Sequence, residues 1–294
     1  MRILVVRKMT NFELHGARTE KQVEAGFLGP ENLSRLRTAH DQHYRCIEDV
    51  RRILSELSLD WTEITRNESW PVDEFDCIIS IGGDGTLLSV SQASLHPIQV
   101  IGVRSSASSV GYLCQFDFRE LGKLRQTMAE VKWTTKRVER MQAEVARAEK
   151  SDEYLTVPVL NEFLFANTRP AATTRYRITV NDEAEFHKSS GIWVSTATGS
   201  TAAIYAAGGQ KLAVTDDRFQ YQVRELYNSQ NLPLKHLGGC FRPEETRIVI
   251  ENRNENALLA FDGQHGEVKL SFGDRISFVR AEPLLLVQQE AGEA

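Results

Sequence analysis

Two glycine- and hydroxyl-rich segments hold the residues best suited to chemistry on a phosphate. The first is Gly82-Gly-Asp-Gly-Thr86, directly after the apolar run Asp76-Cys-Ile-Ile-Ser-Ile81. Glycines after a buried strand let the backbone turn sharply and approach a ligand closely. The amides of Gly85 and Thr86 can then face a phosphate at a helix N-terminus, and Asp84 is placed to act as a base or a magnesium ligand. A Gly-Gly-Asp-Gly turn without any chemical role is an equally good interpretation of this motif alone.

The second segment runs from Ser189 to Ala203 and continues to Gly209. It combines an apolar strand, a hydroxyl-rich turn with five hydroxyl side chains between Ser195 and Thr201, and small residues suited to a closely packed helix. The hydroxyls offer many neutral donors to a polar ligand. A simple helix N-cap at Thr198 or Ser200 would need only one of them.

Two shorter elements accompany these segments. Asn161-Glu162 lies between the apolar stretches VPVL and FLF, where a carboxylate is unfavourable unless it is exposed or hydrogen-bonded. Asp262-Gly263-Gln264, taken alone, is a turn between two strands.

The elements that must position these residues change in character along the chain. Strands at residues 3–6, 76–81 and 99–103 alternate with helices at 33–57, after residue 86, and at 117–131, which predicts a parallel sheet with crossover helices. A polar, glycine-containing stretch follows the first strand and ends in Gly29-Pro30, which is expected to break regular structure. The helix at 33–57 carries His40 and His43 on its apolar stripe; a partly buried helix face explains them better than a metal pair, since no third ligand is evident.

From about residue 132 the chain becomes rich in short, turn-bounded strands. One hairpin is expected around Lys150-Ser151-Asp152 and another around Asn181-Asp182. We therefore predict an α/β domain over residues 1–131, with a Rossmann-like parallel sheet, and a β-rich domain over 132–294. The functional site is expected in the cleft between them.

Composition excludes several classes of function. The net charge is −5 with acidic and basic residues intermixed, so no positive stripe for nucleic acid is present. No apolar stretch approaches the length of a membrane span. The four scattered cysteines indicate reduced thiols, and with no Arg-rich presequence this favours the cytoplasm.

Together, in this order and spacing, the four elements resemble the NAD kinase family: GGDGT, an Asn-Glu pair, a T-x-T-G-S-T-A segment ending in A-G-G, and a late D-G-Q. Diacylglycerol and sphingosine kinases share the first motif, and the later three select NAD kinase. The resemblance implies ATP with Mg²⁺ or another divalent cation, NAD as substrate, transfer to the 2′-hydroxyl of the adenosine ribose, and a homodimer or homotetramer.

The resemblance also implies roles for individual residues. Asp84 is the implied general base, or the group that orients the ribose hydroxyl for attack. The implied substrate-binding residues are Gly83, Gly85 and Thr86 along the phosphate path, Tyr112 against the adenine, Asn161 and Glu162 on the adenosine, Thr198, Thr201 and Ala202 in the dinucleotide pocket, His236 in a P-H element, and Asp262 in D-G-Q.

This chain departs from the usual family pattern at three places. Ser190 stands where an Asp usually holds the nicotinamide end, Ala203 replaces a Tyr, and Ala197 replaces a Pro. The K-S-S-G sequence at 188–191 and the long polar insertion after the first strand resemble the mitochondrial-type branch. The departures leave the preference for NAD over NADH open.

Two alternatives remain from the sequence. A lipid kinase would need an apolar substrate pocket, whereas the second half offers Asn161-Glu162 and a hydroxyl-rich loop. A non-catalytic dinucleotide sensor is compatible with Ser190 and Ala203, but it has no need to retain Asp84. The sequence contains neither G-x-G-x-x-G nor G-x-x-x-x-G-K-[ST], so the common dehydrogenase and P-loop kinase classes are excluded.

Overall fold

A computed structural model describes residues 1–66, 68, 74–130, 133–149, 152–229, 231–263 and 265–288 of the chain. The helices are α1 (Asn11–Glu24), α2 (Pro30–Glu56), α3 (Asp84–Ala93), α4 (Leu121–Glu130) and α5 (Ala203–Ala206), with a 3-10 turn at Thr198–Thr201. The strands are β1 (Arg2–Arg7), β2 (Asp60–Thr65), β3 (Cys77–Gly82), β4 (Gln99–Arg104), β5 (Phe116–Asp117), β6 (Thr135–Ala146), β7 (Glu153–Leu155), β8 (Glu162–Asn167), β9 (Thr174–Val180), β10 (Glu183–Ser189), β11 (Gly191–Ser195), β12 (Phe219–Arg224), β13 (Gly238–Phe241), β14 (Ile248–Asn252), β15 (Ala257–Phe261), β16 (Gly266–Leu270) and β17 (Arg275–Val287).

The chain folds into two compact units. The first comprises Met1–Val90, His96–Lys136 and Leu284–Ala294, and the second comprises Ser91–Leu95 and Arg137–Pro283. In the first unit the parallel strands follow the order β4-β3-β1-β2, with the end of β17 beside β4. The alternating strands and helices predicted for the first part of the chain are confirmed.

The strands of the first unit can be predicted from the sequence because they lie in its apolar core. Every residue of β3 is buried, as are the four central residues of β1, and α2 and α4 supply further apolar side chains to the same cluster. Strands of a parallel sheet that are covered on both faces appear as continuous apolar runs. Each fully buried aliphatic side chain contributes about 1.5–3 kcal/mol to folding. Strand β2, which mixes polar and apolar residues, was not predicted.

The segment between β1 and α2 forms helix α1, which was not predicted from the sequence. Thr10 caps this helix: its side chain accepts from the Glu13 amide, and the Glu13 carboxylate accepts from the Thr10 amide. This reciprocal T-x-x-E box is a recognised helix-start signal that the sequence contains at residues 10–13. Helix α2 then begins at Pro30, whose missing N–H is tolerated in a first turn.

The second unit is built from antiparallel strands. One sheet has the order β13-β12-β11-β8-β15-β16. In a second sheet, β9 pairs with both β10 and β14, and β14 also pairs with the first half of β17. Their facing apolar side chains form a single cluster that includes Phe163, Phe165 and Tyr176. The predicted hairpin around Asn181-Asp182 is confirmed, with Asn181 at φ 53°. Strands β6 and β7 also pair antiparallel, while Lys150 and Ser151 of their predicted turn lie outside the described residues.

The predicted fold class is therefore confirmed: an α/β part with parallel strands and a β-rich part. The small residues after Thr201 form helix α5, which is only four residues long. Ala202, which precedes it, departs from helical geometry (φ −89°, ψ −140°) and separates it from the 3-10 turn. Among the described helices, none has the length and apolar character needed to cross a membrane.

Candidate functional site

The glycine motif forms a tight turn from β3 into α3. A Cβ on Gly82 would lie 2.1 Å from the Thr86 hydroxyl oxygen, and a Cβ on Gly83 would lie 3.0 Å from Ser109 Cβ. A residue larger than glycine at either position would therefore force Thr86 or Ser109 to move. The Thr86 amide donates to the Gly83 carbonyl at 3.0 Å, so it does not face a ligand as predicted. In the first turn, the amides of Asp84 and Gly85 have no intrahelical acceptor.

Asp84 is the first residue of α3 and is half-buried. Its Oδ1 accepts the Leu113 amide at 2.8 Å, and its Oδ2 accepts the Tyr112 amide at 3.0 Å. A carboxylate has about four acceptor positions, so two remain for a substrate hydroxyl or a cation. The backbone of Tyr112 thus fixes Asp84, whereas the Tyr112 side chain is 60% exposed.

A cavity of about 720 Å³ opens beside this turn in the first unit. Residues 83–86 line it together with the β1–α1 segment, both long helices and the loop at 108–110. Lys8, Arg35 and Arg66 also line this cavity, and sequence reasoning missed all three because a single cation carries no local pattern.

The two histidines of α2 form no metal site. His43 Nδ1 lies 2.7 Å from the Ser105 hydroxyl and Nε2 lies 3.1 Å from the Lys8 carbonyl, while His40 Nδ1 lies 2.9 Å from the Thr10 hydroxyl. Burial lowers the pKa of His43 to about 4, with repulsion from Lys8 as the next cause, so the ring is neutral. Ser105 in turn donates its amide to the Gly82 carbonyl. His43 therefore connects the segment that carries Lys8 to the base of the glycine turn.

The hydroxyl-rich segment packs against Asn161-Glu162 in the second unit. The Thr196 amide donates to the Asn161 carbonyl at 2.9 Å, and the Thr196 hydroxyl donates to the Leu160 carbonyl at 2.5 Å. Gly199 is required here, because a Cβ would lie 2.3 Å from the Asn161 carbonyl oxygen. The simple N-cap interpretation is wrong, since the 3-10 turn starts after Ala197 without any side-chain cap. The Ser200 hydroxyl instead accepts the Leu212 amide at 2.9 Å.

Two buried polar atoms of this cluster have no hydrogen-bond partner among the described residues, Glu162 Oε2 and Thr198 Oγ1. Glu162 is 5% exposed, and burial followed by repulsion from Asp262 raises its pKa to about 7. An unsatisfied buried carboxylate oxygen is unfavourable in a folded protein. Such a group in a polar cluster marks a candidate ligand site, because a ligand donor would satisfy it.

Asp262 positions this cluster through its own hydrogen bonds. It is 3% exposed, its φ is 46°, and its carboxylate accepts the amides of Asn161 (2.7 Å) and Leu160 (3.3 Å) and the Gln92 side chain (2.9 Å). Burial raises its pKa as well, while these three donors favour the charged form. Gln264 of the D-G-Q motif lies outside the described residues.

The remaining predicted residues lie elsewhere in the second unit. The Ser190 amide donates to the Arg224 carbonyl at 3.0 Å, and the His236 amide donates to Glu185 Oε2 at 3.0 Å. Neither contact involves Asn161, Glu162 or Asp262. The end of the hydroxyl-rich segment is open to solvent, with Thr201 and Ala203 exposed and Ala202 half-buried.

A carboxylate at the head of a helix, after a glycine turn and beside a cavity lined by three cationic residues, is typical of an enzyme of phosphoryl transfer. A family model described as "ATP-NAD kinase N-terminal domain" matches residues 18–132. A probable NADH kinase from Oryza sativa subsp. japonica is 30% identical over 270 residues, which cover 83% of this chain and 81% of that protein. An NAD kinase from Desulfatibacillum aliphaticivorans is 34% identical over 250 residues and 83% of each chain. The chain belongs to the NAD kinase family.

Solved structures agree with this assignment at the level of the fold. An NAD kinase from Archaeoglobus fulgidus in complex with ATP superposes with a TM-score of 0.67 at 20% identity, covering 99% of this chain and 94% of that chain. Yeast NADH kinase complexed with NADH superposes with a TM-score of 0.69 at 15% identity, covering 99% and 84%. The predicted family is confirmed, and the plant relative fits the predicted nearness to the mitochondrial-type branch. The lipid-kinase and sensor alternatives find no support in these comparisons.

Proposed function

We propose that this chain transfers the terminal phosphate of ATP to the 2′-hydroxyl of the adenosine ribose of NAD, which produces NADP. The observation that carries the proposal is Asp84, whose carboxylate is fixed by two backbone amides and keeps two acceptor positions for the acceptor hydroxyl or a cation. Its place within a glycine turn that lines a cationic cavity supports phosphate chemistry there. Membership in the NAD kinase family supports the choice of substrates.

In the proposed step the ribose 2′ oxygen attacks the terminal phosphorus. The bond from that phosphorus to the bridging oxygen breaks, and ADP leaves with the electron pair. The hydroxyl proton passes to the Asp84 carboxylate and from there to solvent. Since positioning and charge stabilisation supply most of the catalysis in phosphoryl transfer, one fixed carboxylate beside a bound triphosphate is sufficient protein chemistry.

Magnesium is proposed to enter with the triphosphate. Within the part of the chain that the structure describes, no group of three or more His, Cys, Asp or Glu side chains could hold a metal ion. Mg²⁺ is commonly bound through one or two carboxylates plus substrate phosphates. Asp84 fits that role, because it is the carboxylate that lines the cavity.

For the acceptor we propose the cluster of the second unit. Asn161 and Glu162 take the adenosine, Thr198 with Thr201 and Ala202 line the dinucleotide pocket, and the unpartnered oxygens of Glu162 and Thr198 support this assignment. Further proposed contacts involve Tyr112, Ser190, Ala203, His236 and Asp262. Because Ser190 stands at the nicotinamide position and two plant relatives are named as NADH kinases, NADH is the acceptor to compare with NAD.

We also propose that the protein assembles as a homodimer or homotetramer and lies in the cytoplasm. The four cysteines, at 46, 77, 114 and 240, are all free, which supports a reducing compartment. Light scattering at micromolar protein concentration tests the assembly, and a monomeric mass would overturn that part.

The test is NADP formation from NAD, ATP and Mg²⁺ by the parent chain and by the Asp84→Asn and Asp84→Ala variants. We expect both variants to lose a factor of roughly 10² to 10⁴ in kcat, the usual contribution of a positioned general base. Asp41→Asn is the matched control, since Asp41 is an exposed carboxylate of α2 that does not line the cavity. Full activity of the Asp84 variants would refute the role of Asp84, and a folded parent chain without activity on NAD or NADH would refute the function.

A further inference from the structure

The loop between β4 and β5, residues 105–115, supplies both amides that hold the Asp84 carboxylate. Leu113 donates at 2.8 Å and Tyr112 at 3.0 Å, each to a different carboxylate oxygen. Leu113 is buried, but Val110 and Tyr112 are 83% and 60% exposed, so apolar packing fixes only a small part of this loop. Hydrogen bonds must therefore hold the loop in the shape that directs the two amides at Asp84.

Arg104, the last residue of β4, anchors this loop through its guanidinium group. Its Nε donates to the Ser109 carbonyl at 2.7 Å, and its Nη2 donates to the Ala107 carbonyl at 2.8 Å. Its Nη1 donates to Asp117 Oδ2 at 3.1 Å, and Asp117 lies opposite Arg104 in the parallel pair of β4 and β5. A planar guanidinium serves several acceptors in one fixed geometry, so Arg104 joins the exposed part of the loop to the sheet.

The aliphatic part of the Arg104 side chain lies directly against Gly111. The φ of Gly111 is 65°, which glycine adopts without strain, and a Cβ there would lie 2.8 Å from Arg104 Cδ. The Gly111 carbonyl accepts the Cys114 amide at 3.2 Å, which closes the turn that presents Tyr112 and Leu113. Arg104 therefore contacts the loop both before this turn and at its first residue.

Helix α2 holds the beginning of the same loop independently of Arg104. His43 Nδ1 lies 2.7 Å from the Ser105 hydroxyl, and Gln42 Oε1 accepts the Ala107 amide at 2.9 Å. These two contacts do not involve the guanidinium, so they remain when it is removed. Loss of the Arg104 side chain should therefore loosen the rest of the loop without unfolding the unit.

We propose that Arg104 is a positioning residue for the phosphoryl transfer. Through the Ser109 carbonyl and Gly111 it sets the path of the loop, and the loop sets the orientation of the Asp84 carboxylate. Arg104 does not line the cavity beside Asp84, so its effect on the reaction passes through the loop. This inference rests on the proposed function, in which Asp84 acts on the acceptor hydroxyl.

The first experiment measures kcat at saturating NAD and ATP in Arg104→Ala and Arg104→Lys. A displacement of about 1 Å in a reacting group can lower a rate about 100-fold, so Arg104→Ala should lose a factor of roughly 10 to 100 in kcat. Lysine keeps the charge beside Asp117 but cannot reach the Ser109 and Ala107 carbonyls together, so Arg104→Lys should recover only part of the loss. A parental kcat in Arg104→Lys would overturn the role of the guanidinium. Arg104→Lys also replaces Arg104→Ala in every other measurement if Arg104→Ala does not fold.

Arg119→Ala is the matched control, because Arg119 binds the same carboxylate as Arg104. Its Nε lies 2.7 Å from Asp117 Oδ1, its side chain is 66% exposed, and among the described residues it donates hydrogen bonds to Asp117 alone. Its removal takes a cation from Asp117 and leaves the loop contacts intact, so kcat should equal that of the parent. A loss as large as that of Arg104→Ala would assign the effect to the charge of Asp117 and overturn the proposal.

A double-mutant cycle with Asp84 distinguishes positioning from a general loss of structure. If Arg104 acts through the Asp84 carboxylate, its removal has nothing left to misplace once that carboxylate is gone. The kcat of the double variant Asp84→Ala Arg104→Ala should therefore lie within about twofold of that of Asp84→Ala. Two losses that multiply would show that Arg104 acts on something other than Asp84, which would overturn the proposal.

Amide hydrogen exchange tests the positioning without turnover. The amides of Tyr112 and Leu113 are held by Asp84 in the parent chain and should exchange slowly. Arg104→Ala and Asp84→Ala should each accelerate this exchange about tenfold or more, since a hydrogen bond to a charged group is lost or weakened. Mass spectrometry of peptides that contain both residues gives the rates, and Arg119→Ala should match the parent.

The two kinds of measurement separate failure of this inference from failure of the kinase function. A parent chain that phosphorylates NAD while Arg104→Ala keeps the parental kcat would overturn the role of Arg104 alone. Faster exchange in Arg104→Ala, in a chain whose parent phosphorylates neither NAD nor NADH, would overturn the proposed function. The link from Arg104 through the loop to Asp84 would then still stand.

Discussion

The affinity for NAD should depend on pH through Glu162. Burial and the neighbouring Asp262 raise the pKa of this carboxyl to about 7, and its Oε2 has no partner among the described residues. If this oxygen accepts a hydrogen bond from the adenosine of NAD, only the ionised carboxylate binds well. A ligand that binds one of two protonation states has an apparent Kd divided by the fraction of that state.

The expected size follows from the pKa. With a pKa of about 7, roughly one tenth of the protein is ionised at about pH 6 and roughly nine tenths at about pH 8. The apparent Kd for NAD should therefore fall about tenfold between these pH values, since affinity rises as the proton leaves. Binding itself favours the ionised form, so NAD should release close to one proton near pH 6.

Calorimetric titration with NAD in buffers of different ionisation enthalpy measures both quantities. The Glu162→Gln variant keeps the size of the side chain but cannot titrate, so its Kd should be nearly independent of pH over the same range. An unchanged pH dependence in this variant would assign the effect to another group, such as His265 near Asp262. A parent Kd that is constant from about pH 6 to about pH 8 would refute the reasoning.

Two further predictions concern stability and packing. The pKa of His43 is about 4 in the folded chain against 6.5 for the free side chain, so the unfolded chain takes up a proton first as pH falls. The free energy of unfolding should therefore drop by up to about 3 kcal/mol between about pH 7 and pH 4, and His43→Gln should remove this part of the drop in urea titrations. Gly199→Ala should weaken NAD binding about tenfold or more, because the new Cβ meets the Asn161 carbonyl at 2.3 Å. Gly122→Ala, with open space around its Cβ, should leave Kd and melting temperature nearly unchanged, and equal behaviour of the two variants in calorimetry would contradict the packing argument.

The parts that the sequence predicts best are those where local pattern and tertiary environment agree. The apolar run of β3 is buried along its full length, and the glycines after it form the tight turn into α3. The order of motifs identifies the family, which the comparisons confirm. Helix α1 was missed although its T-x-x-E box is present, because the surrounding residues are polar and only Gly16 and Thr19 are buried.

Contacts between residues far apart in the chain could not be predicted in this way. Asp262 resembles an ordinary turn residue, and its carboxylate acquires a role only because Asn161, 101 residues earlier, donates its amide to it. Lys8 and Arg66 likewise share a cavity only because β1 and β2 are neighbours, with Arg2 to Arg7 in register with Asp60 to Thr65. Pairing of strands, and not sequence spacing, creates these clusters.

The buried carboxyl of Glu162 also implies a conflict between stability and binding. Its pKa rises from 4.5 to about 7 on folding, so the folded chain holds a proton that the unfolded chain has released between these values. Stability is therefore lost as pH rises through this window, by up to about 3 kcal/mol above pH 7. Glu162→Gln removes this loss, and urea titration at about pH 8 should show the variant to be more stable than the parent by about 1–3 kcal/mol while its affinity for NAD is lower. A variant that is less stable at this pH would show that the Glu162 carboxylate has a protein partner in the free chain, and the case for a ligand at this oxygen would then fail.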